Sequence, residues 1–485
     1  MDNQRDNGQR ITIEIQKEGT FSLEKGENVL SVLTENNLFD VSHCGGHGTC
    51  GKCSVRFLSG APLPLPADRR RFSPQELRDG WRLACFAKPQ QDCAISLPDG
   101  YENSQKETMI LDQVLFLEKK NTVLPQEIFS ETMIVGDLGT TTIVLLLAEK
   151  ATGRILDTYK TMNPQRKYGA DVVSRMEKAM EGESSELSDP VKEILQQAVD
   201  KWKKEGYQPE RIVLAGNTVM THLLMNYDVE GLSMAPFVPV TTASVSFDLD
   251  GIKVETVPGI SGFVGGDILA GMLVCRRLME SDKVSRALFI DLGTNGEMVL
   301  ISPEGNLCTA TAAGPAFEGG FGGRMYGADV IAAVADLLEK GIVDETGLLD
   351  ERYFATGYKQ GQIEICREDI RALQTAKAAV FAGIRILLEE AGISERDVER
   401  VYLAGGFGYK LDVKAACDIG LIPTIWKKRT TAVGNTALSG AYLYGLGDRT
   451  ADMVRTTKSI NLAEKEHFNT YYLQAMELRE ERDFS

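Results

Sequence analysis

The sequence predicts an α/β protein in which a small β-rich module precedes a larger region made of two similar α/β halves. In residues 1–100, apolar residues such as Ile11, Ile13 and Ile15 alternate with polar ones, which is typical of half-buried strands. From Met133 onward, strand patterns are followed by helical patterns, as in folds whose sheets are covered by helices. A strand ending in Asp-Leu-Gly-Thr occurs at Asp137 and again at Asp291, which indicates an internal duplication.

Changes in composition predict four regions along the 485 residues. A polar passage from Asp99 to Glu107 follows the β-rich module and predicts a connector. Beyond it, each copy of the duplicated strand begins one half of the larger region. The predicted boundaries are 1–100 for the module, 101–131 for the linker, 132–285 for the first half and 286–485 for the second half with a charged tail.

The charge balance excludes several classes of partner. The chain has 53 basic and 69 acidic residues and a net charge of −16, which repels nucleic-acid backbones and anionic membrane surfaces.

No apolar run approaches the ~20 residues that a membrane span requires, and the polar start lacks the apolar stretch of a secretory signal. We therefore expect a cytosolic protein that binds neither nucleic acid nor membrane. Binding of ATP is not excluded, because it needs only a local site.

Four of the nine cysteines lie close together near the start of the chain, at Cys44, Cys50, Cys53 and Cys85. In a reducing compartment, clustered thiols more often hold a metal than form disulfides. The C-x5-C-x2-C spacing with a distant fourth cysteine is close to the plant-type C-x4-C-x2-C…C pattern that binds a 2Fe-2S cluster. Four thiolates also suit structural zinc, but zinc sites favour paired short C-x2-4-C knuckles, and only Cys50 and Cys53 form one. We predict a 2Fe-2S cluster and keep zinc as the alternative.

With this cysteine pattern, residues 1–100 resemble a β-grasp ferredoxin. The cluster loop is one residue longer than in the plant type, as in the adrenodoxin-like branch. The resemblance implies a one-electron carrier, with a potential of about −400 mV if it is plant-like.

The two Asp-Leu-Gly-Thr turns have the residue types that nucleotide phosphates require. Glycine lets the backbone approach a phosphate, threonine hydroxyls and N–H groups donate hydrogen bonds to it, and aspartate can hold hydrated Mg²⁺. Each turn is followed later in the chain by a strand ending in Ala-Gly, at Gly216 and at Gly405. The predicted nucleotide-binding residues of the turns are Asp137, Gly139, Thr140, Thr141 and Thr142 in the first half and Asp291, Gly293, Thr294 and Asn295 in the second.

Residues 132–450 resemble the superfamily of acetate and sugar kinases, heat-shock chaperones and actin. The resemblance implies an ATPase with two actin-like subdomains around a nucleotide cleft, in which the two turns clamp the phosphates. It also implies that Gly405, Gly406, Phe407 and Gly408 form the adenosine-binding loop. By likeness to the catalytic aspartate of sugar kinases, Asp267 is a candidate to orient the attacking water. The alternative for Asp267 is an ordinary helix N-cap.

Nearly the whole chain resembles the reductive activators of corrinoid-dependent methyltransferases. The likeness lies in five segments: 163–165 with 168–171, 216–222, 313–319 and 403–408. It implies ATP-dependent transfer of a low-potential electron from the cluster to the Co(II) corrinoid of a methyltransferase corrinoid protein, which regenerates Co(I). It further implies an external low-potential electron donor and a homodimer.

Two other functions remain open from the sequence. The first is activation of another low-potential enzyme, of the 2-hydroxyacyl-CoA dehydratase type, whose activators resemble the ATPase half but carry a 4Fe-4S cluster at a dimer interface. The second is a redox-sensing protein whose cluster state controls nucleotide-dependent binding without productive electron transfer. A simple sugar kinase is least favoured, because it would not need the four clustered cysteines.

Overall fold

The computed structural model describes most of the chain and defines two units by their internal contacts. It covers residues 10–36, 38, 53–97, 115–116, 118–119, 131–169, 171–293, 295–311, 327–354, 356–360, 363–405 and 411–479. Six of the predicted site residues lie outside these ranges: Cys44, Cys50, Thr294, Gly406, Phe407 and Gly408. The first unit comprises Met1–Thr108 and Gln165–Arg175, and the second comprises Met109–Pro164 and Met176–Ser485.

The first unit contains a five-stranded sheet with short helices. Its strands are β1 Arg10–Ile15, β2 Gly19–Glu24, β3 Ser54–Ser59, β4 Trp81–Leu83 and β5 Cys93–Ser96, and its helices are α1 Val29–Glu35, α2 Pro66–Arg71 and α3 Pro74–Arg78. The strand order is β2-β1-β5-β3-β4, with β1 antiparallel to β2 and parallel to β5. The alternation that predicted β1 is confirmed, because Ile11, Ile13 and Ile15 are all buried in the core of this unit.

The first half of the second unit is built on a seven-stranded sheet in the order β11-β12-β10-β7-β8-β9-β6. Its strands are β6 Glu118–Lys119, β7 Thr132–Leu138, β8 Thr142–Glu149, β9 Arg154–Met162, β10 Pro209–Gly216, β11 Ser246–Leu249 and β12 Ile252–Thr256. After β9 come a 3-10 helix Pro164–Tyr168 and helix α4 Val172–Lys178, which lie mostly within the Gln165–Arg175 stretch of the first unit. The helices that follow in the second unit are α5 Ser184–Lys204, α6 Thr218–Met225, α7 Glu230–Ser233 and α8 Gly266–Asp282, with a π-helical turn Ala179–Glu183.

The second half is built on a six-stranded sheet in the order β19-β18-β13-β14-β15-β20. Its strands are β13 Ala287–Leu292, β14 Gly296–Ile301, β15 Asn306–Thr311, β18 Arg400–Ala404, β19 Thr430–Gly434 and β20 Thr457–Ser459, and β16 Tyr358–Gln360 pairs separately with β17 Ile363–Ile365. Its helices are α9 Gly327–Glu339, α10 Arg367–Ala391, α11 Val413–Asp418, α12 Thr436–Gly445, α13 Ala451–Thr456 and α14 Phe468–Gln474, with 3-10 helices Glu351–Tyr353, Glu395–Asp397, Thr424–Trp426 and Leu462–Glu464.

The two larger sheets share one arrangement, which bears out the internal duplication. Five strands of the first sheet, β12-β10-β7-β8-β9, correspond in order to β19-β18-β13-β14-β15 of the second. The directions also correspond, because β7 and β13 each pair antiparallel with the next strand and parallel with a later one. The Asp-Leu pair of each motif copy ends an interior strand of its own sheet, β7 at Leu138 and β13 at Leu292.

Helices α8 and α12 pack against each other in a hydrophobic core that draws on both sheets. The contact is close enough that a Cβ added to Gly440 of α12 would lie 2.1 Å from the carbonyl oxygen of Ala270 in α8. Small residues at this crossing let the two helix backbones approach directly. Among the described residues, no helix has the length and apolar character needed to cross a membrane.

Candidate functional site

Two of the four predicted cluster ligands come together in the first unit. Cys53 directly precedes β3, and Cys85 lies two residues after β4. Their sulfur atoms are 3.2 Å apart, neither forms a disulfide, and their exposed fractions are 0% and 6%. Two buried thiols at this separation, without a bond between them, fit a site in which both sulfurs ligate one metal centre.

The turn that carries Cys85 is held by backbone hydrogen bonds. The Ala84 N–H donates to the Cys53 carbonyl at 2.7 Å, and the Leu30 N–H of helix α1 donates to the Ala84 carbonyl at 3.1 Å. Strand pairing and α1 therefore fix the position of one sulfur relative to the other. Cys93 is a contrasting thiol in the same unit, because burial, with the nearby Asp92 charge, raises its pKa to about 11.

The first predicted phosphate turn is the tight hairpin between β7 and β8. A Cβ on Gly139 would lie 2.7 Å from the Thr142 carbonyl oxygen, so this position requires glycine. The buried Asn163 fixes the turn: its side-chain Nδ2 donates to the Gly139 carbonyl at 2.8 Å, and its backbone N–H donates to the Thr141 carbonyl at 2.9 Å. Asn163 was visible in the sequence only as part of a family-like segment, and this supporting role was not predicted.

The second predicted phosphate turn follows β13, where the Gly293 N–H donates to the Asn295 carbonyl at 2.9 Å. Asp291 lies beside Ala404 of the neighbouring strand β18. The next residue, Gly405, has a φ of +89°, and a Cβ there would lie 2.4 Å from the Leu292 carbonyl oxygen and 2.7 Å from Asp291 Oδ1. The start of the predicted adenosine loop thus lies against the second turn.

Asp267 lies in the first turn of α8 but is not its N-cap. Gly265 occupies the cap position, so the alternative assignment of Asp267 as an ordinary N-cap is wrong. The reason is steric: a Cβ on Gly265 would lie 2.4 Å from the Asn217 Cα, so a standard side-chain cap has no space there. The close approach brings the start of α8 next to the end of β10, which pairs with β7 at Asp137.

Asp267 and Asp137 influence each other electrostatically. Burial raises the pKa of Asp267 to about 7, and the negative charge of Asp137 contributes in the same direction, while a hydrogen bond from the Ile268 N–H opposes the shift. A carboxyl group whose pKa is raised by burial and by a neighbouring carboxylate is typical of acid–base sites. The Asp267 carboxyl can therefore hold or release a proton near neutral pH.

Asn435 is a further residue of this region, and no sequence motif had pointed to it. Its Nδ2 donates to Asp137 Oδ2 at 2.8 Å, and its Oδ1 accepts from the Leu438 N–H at 2.9 Å as the N-cap of α12. The only sequence signal is an asparagine directly before a helix, which predicts the cap but not the contact with Asp137.

Comparison with known families agrees with this architecture. Residues 11–90 match the family described as "2Fe-2S iron-sulfur cluster binding domain". Residues 133–280 match the "RACo middle region", and residues 285–328 and 324–484 match the "C-terminal domain of RACo the ASKHA domain". The molecule is thus an iron-sulfur domain joined to an actin-like ATPase region, and the predicted fold class is confirmed.

Relatives that match most of the chain define the family more closely. The corrinoid activation enzyme RamQ of Eubacterium limosum is 30% identical over 420 residues, a match that covers 71% of this chain and 70% of that protein. The chain belongs to this family of corrinoid activators, as its sequence predicted. A solved structure of a "Reductive activator for corrinoid,iron-sulfur protein" shares the fold, with a TM-score of 0.62, 23% identity, and coverage of 96% of this chain and 98% of that one.

A second relative matches only the first module. A polypeptide of the Na(+)-translocating NADH-quinone reductase of Chlamydia felis is 38% identical over 85 residues, which are 18% of this chain and 20% of that protein. The match to that protein therefore does not extend beyond the iron-sulfur module.

Proposed function

We propose that this protein is an ATP-dependent reductive activator that transfers one low-potential electron to the Co(II) corrinoid of a methyltransferase corrinoid protein and so regenerates Co(I). An external low-potential donor loses the electron, and cobalt gains it. The observation that carries the proposal is membership of the corrinoid activator family, in a chain that joins a buried pair of cysteine sulfurs to a duplicated ATPase fold.

Cys44, Cys50, Cys53 and Cys85 hold a 2Fe-2S cluster in this proposal. Such a cluster supplies one-electron transfer when bound. The support from the structure is the approach of the Cys53 and Cys85 sulfurs within a buried core. The protein surrounds these sulfurs with the hydrophobic core of the first unit, which limits solvent access and so influences the potential.

The second unit binds Mg²⁺ and ATP between the two turns. The phosphates contact the turn residues Asp137, Gly139, Thr140, Thr141, Thr142, Asp291, Gly293, Thr294 and Asn295, and the adenosine contacts Gly405, Gly406, Phe407 and Gly408. Asp267 orients the attacking water and accepts its proton. The geometry supports this assignment because Gly405 lies against Asp291 and because Asp137 and Asp267 interact electrostatically.

ATP is needed because the electron must move to a lower potential. For one electron, each 59 mV corresponds to about 1.4 kcal/mol, so a gap of roughly 100 to 200 mV costs about 2 to 5 kcal/mol. A free-energy cost of this size begins within the typical range of binding couplings, ~1–3 kcal/mol, and extends above it. We further infer a cytoplasmic location, since free thiols such as Cys93 and Cys275 suit a reducing compartment. The homodimer is inferred from the family resemblance alone.

The proposal is tested with anaerobically reconstituted protein, MgATP, a low-potential chemical reductant and a Co(II) corrinoid protein. We expect the Co(I) absorption band to form at a rate proportional to the concentration of this chain. A rate equal to that of the reductant alone would contradict the proposal. Iron and sulfide analysis distinguishes the dehydratase-type alternative, whose cluster requires four iron and four sulfide ions. The redox-sensor alternative predicts instead that the nucleotide affinity changes with the oxidation state of the cluster and that no Co(I) forms.

A further inference from the structure

Asn435 connects the first phosphate turn to helix α12 through both ends of its side-chain amide. Nδ2 donates to Asp137 Oδ2 at 2.8 Å, and Oδ1 accepts from the Leu438 N–H at 2.9 Å. The backbone carbonyl of Asn435 also accepts from the Ser439 hydroxyl at 3.0 Å. The amide is therefore held in one orientation, with its oxygen toward the helix and its nitrogen toward the carboxylate.

Helix α12 is in turn closely packed against α8, the helix that carries Asp267. A Cβ on Gly440 would lie 2.1 Å from the Ala270 carbonyl oxygen and 2.5 Å from the Ala270 Cα. On the α8 side, a Cβ on Gly271 would lie 2.3 Å from the Phe289 ring and 3.0 Å from Thr436 Oγ1. With backbones in direct contact, neither helix can shift without disrupting the core, because protein interiors are close-packed.

These contacts form a continuous connection from one carboxylate to the other. It runs from Asp137 on β7 through Asn435 to α12, and from α12 through the close helix crossing to α8 and Asp267. We propose that Asn435 is a positioning residue for ATP hydrolysis, which holds Asp137 at a set distance from Asp267. The inference rests on the proposed function of this site, and it adds a residue to which neither sequence motif had pointed.

The chemistry of the amide suits this task. An amide donor stabilises the charge of a carboxylate without supplying a competing positive charge, so the carboxylate keeps its ability to attract hydrated Mg²⁺. A lysine or arginine in the same place would compete with the cation. Fixing a polar group before substrate binds is also the usual source of electrostatic catalysis, because no reorganisation is needed during the reaction.

The test is Asn435→Ser in the full-length, reconstituted protein. Serine is also a good N-cap, so α12 keeps its cap, but its shorter side chain does not reach Asp137. We expect kcat for ATP hydrolysis to fall about tenfold, equivalent to ~1.4 kcal/mol, while KM for ATP changes by less than about threefold and Tm stays close to wild type. A residue with only a structural role would instead lower Tm and leave kcat per folded molecule unchanged.

Asn461→Ser is the matched control. Asn461 caps a 3-10 helix by accepting from the Ala463 N–H at 3.2 Å and donates to Glu464 Oε1 at 2.8 Å, so the same chemistry is removed away from Asp137. We expect wild-type kcat. An unchanged kcat in Asn435→Ser, or an equal loss in Asn461→Ser, would overturn the inference.

A second variant, Asn435→Asp, keeps the cap and the side-chain length but replaces the donor with a like charge. We expect a larger fall in kcat than for Asn435→Ser, and wild-type kcat in this variant would also contradict the inference.

If the wild-type protein hydrolyses ATP and supports Co(I) formation while both Asn435 variants match it, only this inference fails. If the wild-type protein does neither, the proposed function fails with it.

Discussion

The sulfur atoms of Cys53 and Cys85 lie 3.2 Å apart although 32 positions separate the two residues in the chain. The approach results from the pairing of β3 with β4, in which Ser54 lies opposite Leu83. Each cysteine lies just beyond this pair, so the strand register determines the distance between the sulfurs. The ligand geometry therefore depends on the fold of the module, and loss of either thiol should abolish the cluster while the sheet remains.

We predict that Cys85→Ser removes the cluster. A serine hydroxyl is a poor ligand for iron compared with a thiolate, so iron and sulfide per chain should fall to near zero after anaerobic reconstitution, and the visible absorption should disappear. Cys93→Ala is the control, because Cys93 is a buried thiol of the same unit whose raised pKa makes it unreactive. The prediction fails if Cys85→Ser retains full iron content, or if the wild-type protein contains zinc and no sulfide.

We predict that Gly405→Ala weakens ATP binding at least tenfold, which corresponds to ~1.4 kcal/mol. The added Cβ would lie 2.4 Å from the Leu292 carbonyl oxygen and 2.7 Å from Asp291 Oδ1, so the second phosphate turn must move. Gly447→Ala is the control: Gly447 also has a left-handed φ, of +102°, but a Cβ there meets nothing within 4 Å. Titration calorimetry with MgATP measures both, and equal affinities in the two variants would contradict a specific role of Gly405.

We predict that ATP hydrolysis rises with pH through an apparent pKa near 7. Burial, with the charge of Asp137, raises the pKa of Asp267 to about 7, and a general base must be unprotonated to accept a proton. Asp267→Asn should lower kcat by at least about a hundredfold and remove this limb of the profile. If the variant retains both the limb and the rate, Asp267 is not the base.

We also predict a pH dependence of stability from the same group. The folded state binds a proton at Asp267 more tightly than the unfolded chain does, since its pKa is raised from 3.8 to about 7. Between these values the folded state holds more protons, so the free energy of unfolding falls as pH rises. Denaturant unfolding should show a smaller decline in Asp267→Asn over this range. Asp336→Asn is the control, because Asp336 is a surface residue paired with Lys340, and its free energy of unfolding should depend on pH as in the wild type. If Asp267→Asn shows that same pH dependence, the pKa of Asp267 is not raised and the prediction fails.

The sequence predicted the features that depend on repeated or local patterns. The duplicated Asp-Leu-Gly-Thr strand predicted two equivalent sheets, and the structure has them with the same strand order. The alternation of Ile11, Ile13 and Ile15 predicted β1, because burial on one face of a strand leaves a period of two in the sequence. The cysteine spacing predicted the approach of Cys53 to Cys85, since this spacing is typical of one cluster type.

The sequence did not predict contacts that arise only from tertiary packing. Asn435 and Asp137 are 298 residues apart, and the local pattern around Asn435 indicates nothing beyond a helix cap. Asn163 supports the first phosphate turn from the end of another strand. The sequence left the N-cap alternative for Asp267 open because the true cap residue, Gly265, has no side chain that would mark the start of the helix. Only the close approach to Asn217 in the folded structure explains why glycine occupies that position.

The proposed role of nucleotide bound by the second unit is to make an unfavourable reduction of cobalt proceed. Its most direct test is the rate of Co(I) formation from a cognate Co(II) corrinoid protein, with reconstituted protein and a fixed low-potential reductant, measured with and without MgATP. We predict rapid formation of the Co(I) absorption band only when MgATP is present. Equal rates in the two conditions would contradict it.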